Sequence, residues 1–400
     1  MLNEFGLRSQ HILTTLKNST IAVVSSLPKS PRTGTEISKV LGLDKTLTWK
    51  IVKFIDGKDI YLSAKYIPGA SSYRSFLKSA KRNGSSKESA EAADKAYNDF
   101  LQFIDIYTGD RATLDLMLLG ESDTGRQKAM YEQKKTCFRA QRFINGASAS
   151  VSFLATIVPE PSDLTTVYAI RGYSNLLRYR PNAIPLYDLP RITETDSTLS
   201  DKSLQFSPLI EGSVPAGGGI PYFEKYCTCK MPQSLDASLL IDNIMPDSEG
   251  ESYKSVNLVT AQIVRTKGLL KKRTKKNEKS YQIHLSYGIS FPTKKAYMDV
   301  FVHKSMAIGR PKCRIYNDIS DCNKSNHNRE RVDAERFRYD ENVSSIGQGV
   351  FSSQIREIPW YAKMLSETFQ SIGINENEFD LYRVQVEFPY LPSSIALIWE

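Results

Sequence analysis

The chain has 400 residues, with 53 Lys and Arg against 44 Asp and Glu and a formal net charge of +9 at neutral pH. Its 40% hydrophobic and 10% aromatic content suffices for a sizeable core, which excludes a disordered chain and a small cross-linked scaffold. Five irregularly placed cysteines exclude a disulfide framework, and no apolar run approaches the roughly 20 residues that cross a bilayer.

The spacing of Leu7, Ile12, Leu13, Leu16, Val23 and Val24 predicts a helix over 7–27, broken by Pro28, Pro31 and Gly34. Short helices follow at about 35–41 and 45–55. Residues 59–67 read as a further short helix or a poor strand, and 73–82 as a helix. Ala93, Tyr97, Phe100, Ile104 and Tyr107 make an apolar stripe on a helix over about 88–107, a candidate dimer interface or an internal packing face. Helices over 112–119 and 125–144 complete an all-helical first part.

From about residue 150 the texture changes. Residues 151–158 and 165–170 read as short strands, 173–178 as a helical turn, and the Pro/Gly/Ser-rich 181–250 as short strands and turns on a larger domain. The best strand pair is 255–266 with 280–291, and a strand at 297–303, a helix at 360–371 and a strand at 380–388 follow. The expected fold class is α+β and multidomain: a helix-turn-helix domain over 1–83, a helical connector or dimerisation region over 84–147, and a mixed α+β domain over 148–400. With no basic segment ahead of a long apolar one at the N-terminus, a reduced, cytoplasmic protein is expected.

The charge is unevenly divided. Residues 1–83 hold 14 Lys and Arg against 5 Asp and Glu, whereas residues 84–400 hold 39 of each. An acidic partner is therefore expected at the N-terminal end.

The sharpest motif lies in that end. In Thr35-Glu36-Ile37-Ser38-Lys39-Val40-Leu41-Gly42-Leu43-Asp44-Lys45-Thr46-Leu47-Thr48-Trp49-Lys50-Ile51-Val52, Ile37, Val40 and Leu41 share one face of a short helix. Gly42 permits a tight helix end, and Asp44 is a good N-cap for the next helix. Leu47 and Ile51 return to the core, leaving Lys45, Thr46, Thr48, Trp49, Lys50 and Lys53 for phosphates and base edges. Trp49 suits either a thymine methyl or sugar contact, or a core position.

Residues 10–58 resemble the N-terminal winged helix-turn-helix of bacterial transcriptional regulators of the IclR and MarR type, through Glu36-Ile37, Leu41-Gly42-Leu43, Lys45-Thr46 and Lys50. The resemblance implies a recognition helix over 45–53, double-stranded DNA as partner and a homodimer matched to a two-fold operator. It also implies a two-stranded wing, although 58–69 shows no clear hairpin pattern.

A second basic run, Arg265, Lys267, Lys271, Lys272, Arg273, Lys275 and Lys276, has no acidic residue within 265–276. As a hairpin loop between two strands it offers secondary phosphate contacts, or simply a solvated tip. Arg171-Gly172 with Arg178 and Arg180 could bind an anion or be ordinary surface arginines. Cys227-Thr228-Cys229 has no second close pair, Gly217-Gly218-Gly219 lacks the Lys-Ser/Thr of a P-loop, and Gly347-Gln348-Gly349 lacks a third glycine. No catalytic residue, metal or cofactor is expected. The functional expectation is a DNA-binding transcriptional regulator whose C-terminal domain senses a small-molecule effector or a partner. The alternatives are an enzyme with a regulatory N-terminal module and a protein-interaction module on a winged scaffold.

Overall fold

The computed structural model describes residues 4–28, 31, 33–160, 165–179, 204–214, 218–228, 255–266, 270–275, 278–306, 308–317, 336–337 and 342–399. The chain is α+β: an N-terminal helical region precedes a mixed-sheet domain. Two compact units divide it, Met1–Glu132 and Gln133–Glu400.

The first unit holds α1 (Glu4–Ser25), α2 (Gly34–Leu41), α3 (Lys45–Asp56), α4 (Ile60–Ala64), α5 (Ala70–Arg82), α6 (Lys87–Tyr107) and α7 (Arg111–Glu121). Helix α8 (Asp123–Asn145) runs from it into the second unit. Polar side chains cap most of these helices. Asp59 accepts from Tyr61 and Leu62 at the start of α4, Ser86 from Ser89 at α6, and Asp110 from Thr113 at α7. Each satisfies amides that the helix cannot.

Helix α6 is not a connector. Ala93, Tyr97 and Phe100 have 1% exposure or less and pack with Leu13, Leu16 and Tyr73 in one core, and the Tyr73 and Tyr97 rings stack at 4.2 Å. Of the two roles open to this stripe, dimer interface or internal packing face, Ala93, Tyr97, Phe100 and Ile104 take the second, because α1 presents a matching apolar face. The compact unit consequently extends to residue 132, past the expected boundary at 83.

This also redistributes charge. Residues 84–132 add ten acidic side chains, among them Glu88, Glu91, Asp94, Asp99 and Asp105 on α6, and five basic ones, so the unit holds 19 Lys and Arg against 15 Asp and Glu. Its basicity is a local property of the residues before 83.

The second unit is built on strands β1 (Ala147–Val158), β2 (Thr165–Arg178), β3 (Leu204–Pro208), β4 (Val256–Thr266), β5 (Leu270–Lys275), β6 (Glu278–Ile289), β7 (Thr293–His303), β8 (Lys312–Asn317), β9 (Arg336–Phe337) and β10 (Val343–Gln348), then helix α9 (Tyr361–Ser371), β11 (Phe379–Glu387) and β12 (Ser393–Trp399). One sheet runs β10-β11-β7-β1-β2-β4-β3 and the other β5-β6-β12-β8-β9. Among the described residues only β1 and β7 pair in parallel, and the other strand pairings are antiparallel.

Alternation along β7 sets the layers. Tyr297 and Phe301 meet Tyr361, Met364, Leu365 and Phe369 of α9. Ala296, Met298, Val300 and Val302 meet Ile283, Leu285, Ile395 and Leu397 of the five-stranded sheet. The large sheet is therefore covered on both faces, which is why its inner strands are almost continuously apolar.

Three expectations change here. Residues 173–178 continue β2 as a strand, since their partners on β1 and β4 extend that far. Strands β4 and β6 do not pair: β4 lies between β2 and β3, and β6 between β5 and β12. Lys271, Lys272, Arg273 and Lys275 of the basic run lie in strand β5, in register with β6 from Leu270↔Ile283 to Lys275↔Glu278. Of the 181–250 stretch, 181–203, 215–217 and 229–250 lie outside the described residues.

A buried polar clamp joins the layers. Arg383 lies directly opposite Asp299 across the β11–β7 ladder and donates Nε and Nη2 to the two carboxylate oxygens, both at 2.7 Å. Tyr361 donates to the same carboxylate at 2.9 Å, and Arg383 also reaches the carbonyls of Ser353 and Gln354. Burial opposes the guanidinium's charge, but the Asp299 hydrogen bonds and charge outweigh it and hold Arg383 ionised above its ordinary range. Burial next to Asp299 likewise raises the Tyr361 hydroxyl well above the usual phenol value.

Candidate nucleic-acid interface

Helices α2 and α3 are locked by their own sequence. Thr33 and Glu36 form a reciprocal capping box at α2. Gly42 ends α2 at φ 61°, ψ 34°, the left-handed conformation that favours glycine. Ser38 then donates its hydroxyl to the Leu43 carbonyl at 2.7 Å while its own carbonyl accepts the Leu43 amide at 3.2 Å. Asp44 caps α3, accepting from Thr46 N–H at 2.7 Å and Leu47 N–H at 3.1 Å. The Leu47 amide, then the Thr46 hydroxyl and amide, hold its carboxyl below the ordinary aspartate range.

Ile37, Leu41, Ile51 and Phe54 fill the core beneath. At roughly 100° per residue, Lys45, Trp49, Lys53, Thr46 and Lys50 fall on one continuous arc of α3, and all five are exposed. Thr48 departs from expectation. It is fully buried, under the start of α2, where Gly34 lies so close that a Cβ there would sit 3.2 Å from the Trp49 Cα. Its hydroxyl bonds back to the Asp44 and Lys45 carbonyls, so it belongs to the α2–α3 contact and cannot touch a groove.

Trp49 is 47% exposed. Its ring meets the Tyr66 ring edge-on at 5.4 Å, the Lys53 ammonium lies 5.9 Å from its centre, and the Lys65 ammonium lies 5.0 Å from the centre of Tyr66. Tyr66 and Lys65 were not legible as site residues, because they sit in a stretch that reads as a short helix, a poor strand or a wing, with nothing to bring it beside Trp49. No wing forms: helices α4 and α5 follow α3, and the first unit holds no strand among the described residues. The aromatic contact that completes the α3 face comes instead from the turn after α4.

Asp44 occupies the amides of Thr46 and Leu47, so anion attraction on this face rests on Lys45, Lys50, Lys53 and Lys65 and owes little to the helix N-terminus. Among the described residues, no ion pair engages Lys45, Lys50 or Lys53. Lys53 and Lys65 beside two half-exposed rings, with Lys45 and Lys50 exposed on the same helix, can neutralise phosphates and pack on sugars or base edges.

The secondary residues are dispersed. Arg265 belongs to β4 and donates to the Ser207 hydroxyl at 3.1 Å, whereas Lys271, Lys272, Arg273 and Lys275 belong to β5 of the other sheet. Lys267 and Lys276 lie outside the described residues, and no hairpin loop between β4 and β6 exists to gather the run. Arg171 is spent on packing, donating to the Gly288 carbonyl at 2.5 Å with its guanidinium 5.0 Å from the Tyr287 ring centre. Arg178 is buried, and Arg180 lies outside the described residues. Gly172 is required because a Cβ there would meet the Phe153 ring at 2.5 Å. Gly347 and Gly349 have positive φ in the turn around the end of β10, not in a strand-to-helix phosphate loop.

Among the described residues no helix is long and apolar enough to cross a membrane. No known protein-family model matches the chain, and no curated protein matches it significantly.

Proposed function

We propose that the chain is a sequence-specific DNA-binding transcriptional regulator in which α3 enters the major groove of double-stranded DNA. The observation that carries this reading is the continuous exposed arc of Lys45, Thr46, Trp49, Lys50 and Lys53 on a doubly capped helix pair. The resemblance of Glu36-Ile37 and Leu41-Gly42-Leu43 to IclR- and MarR-type regulators supports it. Without a wing, Lys65 and Tyr66 take over the flanking backbone contacts. The second unit senses an effector or partner, and the regulator acts as a homodimer on a two-fold operator.

The test is titration of the full-length chain against a pool of labelled random duplexes, followed by selection of the bound fraction. Salt-sensitive binding that narrows to a motif on selection is expected, with Lys45→Ala/Lys50→Ala/Lys53→Ala losing it. No salt-sensitive duplex binding by the unmodified chain overturns the reading. The exposed Trp49–Tyr66 pair also favours a second reading, an acidic protein partner with no nucleic acid bound, for which no salt-sensitive duplex binding would be seen.

A further inference from the structure

The end of α8 and the strand termini beside it form an open cleft of about 630 Å³, within the usual range for small-ligand sites. Its lining combines four cations, Lys135, Arg139, Arg142 and Lys294, with four aromatic rings and, among the described residues, no carboxylate. The sequence by itself places α8 in a helical connector or dimerisation region. Yet its last 13 residues, 133–145, carry four basic and no acidic side chains, and over that stretch only Phe138 is buried.

The arrangement is built, not scattered. Gly146, at φ 73°, ends α8 and turns the chain into β1. Tyr179 is held by a hydrogen bond between its hydroxyl and that of Ser148 at 2.7 Å, and its amide donates to the Gly146 carbonyl at 2.7 Å. The Arg142 guanidinium lies between two rings, 5.2 Å from the centre of Tyr179 and 5.9 Å from that of Phe138. Phe388 adopts φ 47°, a conformation rarely taken by a bulky side chain. Its amide donates to the Lys294 carbonyl at 2.8 Å, and its ring meets Phe138 at 5.5 Å. Phe143, at the rim, is 77% exposed.

We propose that this cleft binds nucleoside phosphates, with the base on the aromatic surface and the phosphate on the cations. Rings alone would suit any apolar ligand, and cations alone any anion. Their interleaving around a stacked guanidinium suits a ligand with both a flat π-face and a negative charge. Free nucleotides and single-stranded nucleic acid share that chemistry. The site is separate from the α3 face and stands whether or not α3 binds duplex DNA.

The test measures binding of ATP, inorganic pyrophosphate and an oligothymidylate to the full-length chain by calorimetry and anisotropy. Saturable binding of ATP or the oligonucleotide is expected, with pyrophosphate weaker. Phe143→Ala, at an exposed position, should weaken binding at least about fivefold. Arg142→Lys, which keeps the charge and loses the planar stack, should do likewise. Much tighter binding of the oligonucleotide than of ATP identifies the strand as the source; comparable binding identifies the free nucleotide. The measurement is repeated in the Lys45→Ala/Lys50→Ala/Lys53→Ala chain, where retained binding separates this site from α3. No saturable binding of either nucleotide ligand overturns the proposal. So does pyrophosphate binding as tightly as ATP, or unchanged affinity in both cleft variants with unaltered circular dichroism.

Discussion

Replacing Asp299 by Asn removes one charge from a fully buried carboxylate while keeping its shape. In the native chain that carboxylate receives two bonds from Arg383 and one from Tyr361. Asparagine can still accept one or two of these, but its amide group turns a donor toward the guanidinium. Arg383, only 11% exposed, is left with the Ser353 and Gln354 carbonyls as its strong acceptors. Breaking one partner of a buried pair costs about 3–5 kcal/mol. The surviving carbonyl contacts place Asp299→Asn near about 3 kcal/mol, the lower end of that range. Tyr361→Phe removes one bond to a charged acceptor that keeps two others, a loss of about 1.5 kcal/mol.

The tryptophans supply the assay. Trp49 belongs to the first unit, whereas Trp360 and Trp399 belong to the second, so in a Trp49→Phe background urea unfolding followed by tryptophan fluorescence reports the second unit alone. Asp299→Leu/Arg383→Met should recover most of the loss, because the cost lies in the orphaned charge. An Asp299→Asn midpoint equal to that of the parent would refute the reasoning. A double variant as unstable as the single one would refute the attribution to charge.

Other outcomes follow from the α3 face. If Lys45, Lys50 and Lys53 each neutralise one phosphate, their joint removal flattens the slope of log affinity against log salt by about 2.7. An unchanged slope means they touch no backbone. Gly34→Val should destabilise the first unit by about 1–3 kcal/mol, read as an earlier loss of helical circular dichroism, since the added Cβ would meet backbone atoms of Trp49 that cannot swing aside. An unchanged transition would show that α2 can move off α3. Because Asp44's folded carboxyl lies below its ordinary 3.8, its cap stabilises α3 at higher pH and is lost as pH falls through the folded value. Protection of the Thr46 and Leu47 amides from exchange, taken relative to the intrinsic rate at each pH, should therefore fall in acid, and Asp44→Asn should remove that acid dependence.

Much of the first unit was legible because its signals are local. Helical periodicity, Gly42 and the cap at Asp44 act within a few residues, so α2, α3 and the exposed arc between Lys45 and Lys53 could be read without tertiary information. Thr48 could not, since it lies at the margin of that arc and only the close approach of Gly34 from α2 buries it. Tyr66 and Lys65 were missed for the same reason, since their place beside Trp49 depends on a chain turn after α4.

In the second unit the signals are long-range. Strand character in 255–266 and 280–291 was plain, but their partners were not, because antiparallel pairing is chosen by the whole sheet. The aromatic and basic cleft joins residues from the end of α8 and from β7 with one just past β2 and one just past β11, which no spacing rule connects. The net charge of +9 shows the same division. Composition determined that the chain is basic, and the order of residues placed that surplus before residue 83. Only folding packed the acidic α6 and α7 into the same unit, because their apolar stripes needed α1 and its neighbours as cover. The tertiary structure thus turned a basic segment into a local basic face.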